Sequence, residues 1–407
     1  MTTTPIDAST LTTGQRTHAV LAGYLGWTMD AFDFFVVVFM IGTLAENFHV
    51  SKTQIVFTIT IALAMRPLGA FLFGLLADRF GRRVPLMANV IYFSLIEVLC
   101  GFAHNYREFL ILRALYGIGM GGEWGIGASL AMESIPQRWR GVISGALQSG
   151  YSTGYLLAAV AFRLVFPMYG WRWMFWIGGL PASLALYIRW HVPESQVWKE
   201  HATNSMAEIM RVFASYWKSF AYLCLMMTLF MFLSHGTQDL YPDFLKTEHH
   251  LNPAWVSYIA IIYNVGAIVG AIIFGLISQR VGRRKGIVLA LFVSIVTIPA
   301  WAFGHGLLMI AVAAFIMQMG VQGAWGVVPV HLNELAPDAA RGLVPGFAYQ
   351  LGILFASGTN NIEYALRDRY GYRWALAGFE IATILGLAVV VWFGREAHGK
   401  SFAKLSP

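Results

Sequence analysis

The chain has 407 residues, of which 57% are hydrophobic and only 12% are charged. Soluble globular domains carry about 25% charged residues, so this composition excludes an ordinary water-soluble fold. The formal net charge of +7 comes from Lys and Arg residues in short clusters between apolar runs. Because these clusters form no continuous basic face, we predict no nucleic-acid partner.

The first fifteen residues are polar and rich in threonine. They lack the basic region, the short apolar run and the small-residue cleavage site of a secretory signal peptide. We therefore expect the first apolar run to remain as a helix of the mature protein.

Twelve apolar runs follow, each near the length of about 20 residues that a helix needs to cross a bilayer. The first six lie at 18–41, 53–77, 84–103, 108–131, 141–166 and 172–191. The second six lie at 219–244, 254–278, 286–304, 306–330, 342–365 and 373–393. This pattern predicts an all-α membrane protein with 12 transmembrane helices in two six-helix bundles. We place the bundles at 1–191 and 219–407, joined by a polar linker at 192–218.

The two sets of helices repeat one another. Identical residues recur 201 positions apart, in the pairs Gly74 and Gly275, Arg79 and Arg280, Trp124 and Trp325, Glu133 and Glu334, Arg140 and Arg341, and Tyr169 and Tyr370. One constant offset over such a distance indicates that a six-helix unit was duplicated, as in many secondary transporters.

Most Lys and Arg residues fall in the loops that would share one side of the membrane with both termini. Cytoplasmic loops carry an excess of these residues. We therefore expect a multi-pass protein of the cell inner membrane with both termini in the cytoplasm.

Three motifs carry a resemblance to a known family. Residues 74–83 read Gly-Leu-Leu-Ala-Asp-Arg-Phe-Gly-Arg-Arg and resemble the signature loop of the major facilitator superfamily. Residues 113–119 resemble its second motif, and 193–195, Pro-Glu-Ser, resemble the motif that ends the first half in its sugar and carboxylate branches. The resemblance covers the whole chain and implies the major facilitator fold. Gln279 replaces the acidic residue of the second signature copy, so we expect a weaker charge relay there.

The seventh apolar run, 219–244, carries a more specific resemblance to one family within this superfamily. Residues 234–239, Ser-His-Gly-Thr-Gln-Asp, resemble the signature of the sialate:proton symporter family, particularly its lactate and pyruvate permeases. Met231 and Asp243 stand where the fungal type has Asn and Thr. The resemblance implies a proton-coupled symporter of small monocarboxylates such as lactate or pyruvate. Sialic acid or another organic acid is the alternative substrate.

Several ionisable residues fall within the predicted helices, where each costs about 2.5 kcal/mol or more at the bilayer centre. Asp30 and Arg66 lie at one depth and Asp33 and Arg113 at another, so we predict these two ion pairs. They are either structural, or an Asp carries the proton and an Arg engages the substrate carboxylate through its planar fork.

The seventh helix carries a polar stripe that contains His235 and Asp239, which are i, i+4 neighbours. A lone membrane histidine is often only an interhelical donor, but a His–Asp pair suits proton coupling. The candidates for substrate binding are Arg66, Gln148, His235, Gln238, Asn264 and Gln322. The candidates for proton coupling are Asp30, Asp33, Arg113, Glu123, His235 and Asp239. Each amide is otherwise interhelical glue worth about 1 kcal/mol.

The repeated loops beside the signature copies contain Glu133 with Arg140 and Glu334 with Arg341. We predict that these pairs, with Asp78 and Arg82, form gate salt bridges. The bridges would tie the halves together when the carrier faces outward and break when it opens inward.

Other functional classes find little support in the sequence. Residues 117–122 match a dinucleotide fingerprint formally, but they lie inside an apolar helix with no preceding strand. We therefore predict no cofactor, no metal and no enzymatic activity. We expect a monomer whose partners are a small carboxylate, protons and the lipid bilayer. A membrane sensor on a transporter scaffold is a distant alternative, which would normally carry a longer cytoplasmic tail.

Overall fold

The computed structural model describes residues 11–201 and 205–402. These residues form helices and no strands, which confirms the predicted all-α class. The linker positions 202–204, the last five residues and most of the N-terminal stretch considered for a signal peptide lie outside the described part.

Each half contains six crossing segments. In the first half these are α1 (Thr13–Phe39), α2 (Lys52–Phe80), α3 (Arg83–Cys100), α4 (Tyr106–Ser134), α5 (Arg140–Leu164) and α6 in two pieces (Trp171–Ile177 and Ala182–His191). In the second half they are α7 in two pieces (Trp217–Gln238 and Tyr241–Thr247), α8 (Pro253–Val281), α9 (Arg283–Phe303), α10 (Leu307–Leu335), α11 in two pieces (Val344–Phe355 and Thr359–Tyr370) and α12 (Tyr372–Phe393). Two short helices, Gln196–His201 and Met206–Ser215, lie between the halves in sequence.

Eight spans among the described residues are long and apolar enough to cross a membrane by length and composition alone. The four remaining crossings differ from them for visible reasons. Helix α4 carries buried charges such as Arg113 and Glu123, α5 is rich in small and polar residues, and α6 and α11 are interrupted.

The helix ends follow from local sequence. The side chain of Thr12 caps α1, Ser51 caps α2 and Asn105 caps α4, each accepting a hydrogen bond from a backbone N–H of the first turn. Helices α2 and α8 end at Gly81 and Gly282, whose φ values are +94° and +97°. Residues with a Cβ rarely adopt this conformation, so glycine permits the sharp turns into α3 and α9.

The packing follows the sequence repeat. Helix α2 packs on α4 and α8 on α10, while α1 packs on α5 and α7 on α11. The halves meet where α5 packs on α8 and α2 on α11, two pairings that are equivalent under the 201-residue offset. We call the side on which the chain ends the terminal side; there, Arg140 Nη1 donates to the backbone oxygen of Lys400 at 2.8 Å. The opposite side is the distal side.

Large apolar side chains cover the outer surface. Phe292, Val296 and Leu180 are each more than 60% exposed. Their exposure suits a surface in contact with lipid, because a water-soluble monomer rarely exposes broad apolar patches.

Three crossings are broken, and the sequence predicted a kink only near Pro242. Helix α7 is interrupted at Asp239, and Pro242 lies in the first turn of its second piece. Helix α11 is interrupted at 356–358, Ala-Ser-Gly, and α6 at 178–181, which includes Pro181. Glycine and proline weaken a helix, and a broken helix within a membrane is tolerated where it lines a cavity or is buried in protein.

Candidate functional site

A cavity lies between the two halves, at the middle of α2 and beside the break in α7. The empty space within it is about 580 Å³, including the part open to solvent. Its lining residues are Phe34, Leu63, Arg66, Gln148, Tyr151, Met231, Ser234, His235, Gln238, Asp239, Gln322, Trp325, Tyr349 and Ile353.

The wall formed by the first half is cationic. Arg66 of α2 is only 3% exposed, and its Nη2 lies 3.9 Å from Oδ2 of Asp30 on α1. The predicted Asp30–Arg66 pair is therefore present. Gln148 of α5 is held by the indole of Trp124, whose Nε1 donates to Gln148 Oε1 at 3.4 Å. This wall presents one guanidinium, one amide and the phenol of Tyr151.

The wall formed by the second half holds the predicted polar stripe. His235 Nδ1 lies 3.0 Å from Asp239 Oδ2, and their side chains are 33% and 35% exposed. Gln238 Nε2 donates to Gln318 Oε1 at 2.8 Å, and Gln322 Nε2 donates to Ser234 Oγ at 3.3 Å. These hydrogen bonds between α7 and α10 fix the side chains of Gln238 and Gln322, whereas the His235–Asp239 pair is partly exposed to solvent.

The cavity thus offers two kinds of chemistry on facing walls. The Arg66 guanidinium can bind a carboxylate through two parallel hydrogen bonds. The His235–Asp239 pair can hold or release a proton, because an imidazole changes charge in the physiological pH range.

A second set of acids lies behind Arg66 and does not line the cavity. The carboxyl groups of Asp30, Asp33, Glu97 and Glu123 are all fully buried. The prediction that Arg113 pairs with Asp33 was wrong, because Arg113 Nη1 forms its ion pair with Glu97 Oε2 at 2.8 Å. Equal depth in two helices does not fix which way each helix faces, and Glu97 of α3 packs directly against α4.

The charges of this buried set do not balance. Neither oxygen of Asp33 or Glu123 has a hydrogen-bond partner among the described residues, and Asp33 lies against Gly178 at the break in α6. Among the described residues, these four carboxyl groups face only two guanidiniums, those of Arg66 and Arg113. Because an unpaired buried charge is very costly, the set can hold protons on two of its carboxyl groups.

One predicted substrate ligand is placed elsewhere. Asn264 of α8 does not line the cavity, and its Nδ2 donates to the backbone oxygen of Ala260 at 2.9 Å. The amide is satisfied within its own helix, so the prediction that Asn264 binds substrate is not supported by its position.

An aromatic cluster at the terminal end of the cavity was not predicted from the sequence. The rings of Trp124 and Tyr349 stack with centroids 4.3 Å apart, and Trp27 stacks on Tyr151 at 5.6 Å. Trp325 meets Tyr349 edge to face at 5.6 Å. The repeat of Trp124 as Trp325 was the signal available in the sequence. These rings separate the cavity from the terminal side.

The gate residues lie on the terminal side. Arg82 Nη1 donates to Asp78 Oδ1 at 2.6 Å, and Arg82 Nη2 lies 3.0 Å from Glu133 Oε1. Glu133 Oε1 also lies 3.5 Å from Nη1 of Arg341, which belongs to the other half. The partners of Glu133 are therefore Arg82 and Arg341, not Arg140 as predicted. Arg140 donates to the backbone oxygens of Met132 and Lys400.

In the second copy of the gate, the neutral side chain of Gln279 makes two of the contacts that Asp78 makes in the first copy. Glu334 pairs with Arg283 at 2.9 Å, not with Arg341 as predicted. Gln279 Oε1 accepts a hydrogen bond of 3.0 Å from the backbone N–H of Gly141 in the first half. The amide oxygen takes the place of a carboxylate oxygen, but it supplies no charge for Arg283.

Two glutamates outside the crossing helices cap α3 and α9. Glu194 accepts hydrogen bonds from the backbone N–H groups of Arg82 at 2.7 Å and Arg83 at 3.2 Å. Burial raises the pKa of Glu194 above its usual value, although these N–H groups lower it in part. Glu396, which the sequence reasoning missed, accepts from Arg284 N–H at 3.0 Å. Burial alone would raise the pKa of Glu396, but backbone N–H donors led by Arg284 bring it below its usual value.

Most of the described hydrogen bonds between the halves lie between the cavity and the terminal side. Examples are Ser129 Oγ to Asn333 Oδ1 at 3.0 Å and Ser144 Oγ to the backbone oxygen of Gly326 at 2.7 Å. The molecule is therefore closed on the terminal side, and the partly exposed His235–Asp239 pair lies on the distal side of this closure.

A family model described as "Sugar (and other) transporter" matches residues 18–219 and again residues 219–397. The same model thus matches the chain twice in succession, and the two matches meet at residue 219.

Curated relatives resemble the chain over most of its length. It is 30% identical to the carboxylic acid transporter protein homolog of Saccharomyces cerevisiae, over 90% of this chain and 64% of that protein. The chain therefore spans less than two thirds of the yeast relative. It is 27% identical to the sialic acid transporter NanX of Escherichia coli, over 95% of this chain and 96% of that protein. Among solved structures, the proton:xylose symporter XylE aligns with a TM-score of 0.77 at 19% identity, over 95% of this chain and 98% of that one, which shows the major facilitator fold.

Proposed function

Since this chain belongs to the family of sugar (and other) transporters and is a multi-pass membrane protein, we propose that it carries a small organic acid together with a proton. We name a monocarboxylate such as lactate or pyruvate as the substrate, bound in the central cavity.

One observation carries this proposal. Arg66 of the first half and the His235–Asp239 pair of the second half line the same cavity. Among the described residues, the one ion pair of Arg66 is its 3.9 Å contact with Asp30, so its guanidinium is suited to bind a second, closer carboxylate from a substrate. The carboxylic acid transporter homolog and the sialic acid transporter among the relatives support an acid as the cargo.

Transport would proceed by alternating access. We propose that the bundles 1–191 and 219–407 rock around the bound acid while the linker 192–218 connects them. The ion pairs of Asp78, Arg82, Glu133 and Arg341 would hold the terminal side closed, and their separation would open it. A single chain encloses the complete cavity, so we propose that the monomer is the working unit.

The charges suggest an electroneutral cycle. The substrate anion would neutralise Arg66, and one proton would neutralise Asp30, Asp33, Glu123 or the His235–Asp239 pair, with Arg113 holding the first-half acids in place. The loaded carrier would then move no net charge. Since the membrane potential is worth about 2.3 kcal/mol per charge per 100 mV, it would contribute little, and the pH gradient would drive uptake.

We further propose that the protein lies in the inner membrane with its terminal side in the cytoplasm. The exposed Arg138 and Arg280 both lie on that side, in agreement with the excess of positive charge on cytoplasmic loops. The structure would then represent the outward-facing half of the cycle.

Uptake of labelled acids into proteoliposomes tests the function. With the pH gradient and the membrane potential imposed separately, we expect accumulation of lactate or pyruvate with the pH gradient alone. Accumulation driven by potential alone would contradict the electroneutral version, and no uptake of any small acid under either gradient would contradict the function.

Sialic acid is the second candidate, because the chain resembles the sialic acid transporter NanX over nearly its whole length. Competition distinguishes the two. If unlabelled pyruvate but not sialic acid inhibits uptake of labelled lactate, the small-acid assignment holds, and the reverse result assigns the larger acid. Binding of an acid without any transport would instead favour the membrane sensor.

A further inference from the structure

Two glutamates of the second half have no role in the function described so far. Glu363 of α11 is 1% exposed and Glu380 of α12 is 0% exposed. Neither oxygen of either carboxyl group has a hydrogen-bond partner among the described residues. An acid buried within a membrane without a partner is costly, and such residues mark functional sites more often than chance.

Both glutamates lie on helix pieces that pack against α7, the helix that carries His235 and Asp239. The carboxyl group of Glu380 lies against Gly236, the residue that follows His235, so closely that a Cβ on Gly236 would collide with Glu380 Oε1. The absence of a side chain at Gly236 thus leaves the space that Glu380 occupies. The α11 and α12 pieces that carry Glu363 and Glu380 also pack against each other, and the charge of Asp239 acts on Glu363 as the charge of Glu363 acts on Glu380. The three acids therefore form a series from the cavity inward, with Asp239 35% exposed at its open end.

The other ionisable groups on the surrounding helices do not offset these acids. On α7, His235 pairs with Asp239, and Asp243 and Lys246 lie in the distal piece, where Asp243 accepts from Tyr372 of α12. On the remaining helices, Arg367 of α11 pairs with Asp368 and Arg373 of α12 pairs with Glu248. Tyr364 and Tyr372 lie beside Arg367. Helix α9, which also packs on α12, carries Arg and Lys only at its terminal-side start, residues 283–285.

This arrangement differs from that of the first half, where Arg66 and Arg113 face the buried acids. No guanidinium or ammonium pairs with Glu363 or Glu380 in the described part of the chain, so three negative charges in series would repel one another in a medium of low dielectric constant. A proton is the smallest ligand that removes such a charge, and a carboxyl group that gains one can donate it to the next carboxylate.

We propose that Glu363 and Glu380 form a proton-binding site of the second half, which exchanges its proton with the cavity through Asp239. The proton leaves the His235–Asp239 pair, protonates the Glu363 carboxylate and passes to Glu380, so each transfer leaves one carboxylate behind and forms one carboxylic acid. The site rests on the proposed symport, because its proton is the one that moves with the substrate.

The test compares net uptake with exchange in proteoliposomes of the full-length protein. In Glu380→Gln the inner position of the site cannot take up a proton, so we expect accumulation of the labelled acid under a pH gradient to fall at least about tenfold, the ratio that one pH unit supports for one proton per substrate. Exchange of labelled for unlabelled acid needs no net proton movement and should stay within about twofold of the parent protein. Glu380→Asp should recover part of the accumulation, and the exposed Asp368→Asn serves as the matched neutralising control.

A second measurement distinguishes proton binding from a structural role. The infrared spectrum of the purified protein should contain a band of protonated carboxyl groups that is weaker in Glu380→Gln and also weaker in Glu363→Gln. If Glu380→Gln does not fold, Glu363→Gln provides the transport test. Accumulation by both variants equal to that of the parent would overturn the proposal, as would loss of exchange together with accumulation. If the parent itself takes up no acid, the proposed function fails, whereas the infrared result still tests the proton site.

Discussion

Oδ1 of Asp78 in the first half accepts a hydrogen bond of 2.7 Å from the backbone N–H of Gly342 in the second half. Its other oxygen accepts from the N–H of Leu343 at 3.0 Å. The carboxylate of Asp78 thus pairs with Arg82 in its own half and also binds the backbone of the other half, just before α11 begins. The duplicated position, Gln279, binds Gly141 in the same way, so two equivalent contacts hold the terminal side closed.

We expect Asp78→Asn to destabilise this closure. The amide keeps one acceptor, but its NH₂ group would face the N–H of Leu343, and the charge opposite Arg82 is lost. A buried donor left without an acceptor costs about 1–3 kcal/mol. The distance distribution between spin labels at Arg138→Cys and Arg280→Cys, in a background without Cys100 and Cys224, should gain a longer component. An unchanged distribution would show that the contact does not control the gate.

The close approach of Gly125 and Gly346 provides an independent test of the closure. A Cβ on Gly125 would lie 2.7 Å from the Cα of Gly346, so Gly125→Ala should push the halves apart. With the same spin labels, we expect the open population to rise about tenfold, equivalent to about 1.4 kcal/mol. Gly386→Ala, where the nearest atom lies 3.8 Å from the added Cβ, is the control with the same gain in helix propensity. Equal effects of the two variants would contradict this account.

We predict that Arg66→Lys reduces uptake by about ten- to a hundredfold while the protein remains folded. Lysine keeps the positive charge beside Asp30 but replaces the planar fork with a single point charge, so the substrate carboxylate loses one of its two hydrogen bonds. Uptake of labelled acid and size-exclusion elution of the purified variant measure the two effects. Full transport by the variant would remove Arg66 from the binding site.

Asp239→Asn should stop proton-driven accumulation and leave binding largely intact. The amide can still accept a hydrogen bond from His235, but it cannot take a proton. Thermal stabilisation by the substrate should persist, because a bound ligand stabilises the folded protein in proportion to its occupancy. Asp243→Asn removes a carboxylate that accepts from Tyr372 at 2.9 Å and is the matched control. Retained accumulation in Asp239→Asn would show that the proton is bound elsewhere.

The glutamate cap of α9 predicts a pH dependence of stability. Because backbone N–H donors lower the pKa of Glu396 in the folded protein, its stabilising contribution is complete above the usual glutamate pKa of about 4.3. It is lost as the pH falls through the lowered folded-state value. The melting temperature of Glu396→Gln should therefore fall less than that of the parent below about pH 5. Glu46→Gln, an exposed glutamate on the distal side, should behave like the parent.

The sequence alone predicted the features that depend on composition and periodicity. Apolar runs of bilayer length gave the twelve crossings, because lipid demands continuous apolar helices. The constant 201-residue offset predicted two duplicated halves, and the polar stripe on α7 predicted a functional pair at His235 and Asp239. These properties are written in the order of residues along one helix, so they can be seen without knowing how the helices pack.

The tertiary structure decided which residues meet. Equal depth suggested that Arg113 pairs with Asp33, and the repeated loops suggested that Glu133 pairs with Arg140. The packing instead brings Arg113 to Glu97, and Glu133 to Arg82 and Arg341. An ion pair needs two side chains within about 4 Å, and the rotation of each helix is set by its packing against its neighbours. For the same reason, the sequence did not predict a site at Glu363 and Glu380. Only the packing shows that Glu380 fills the space left by Gly236.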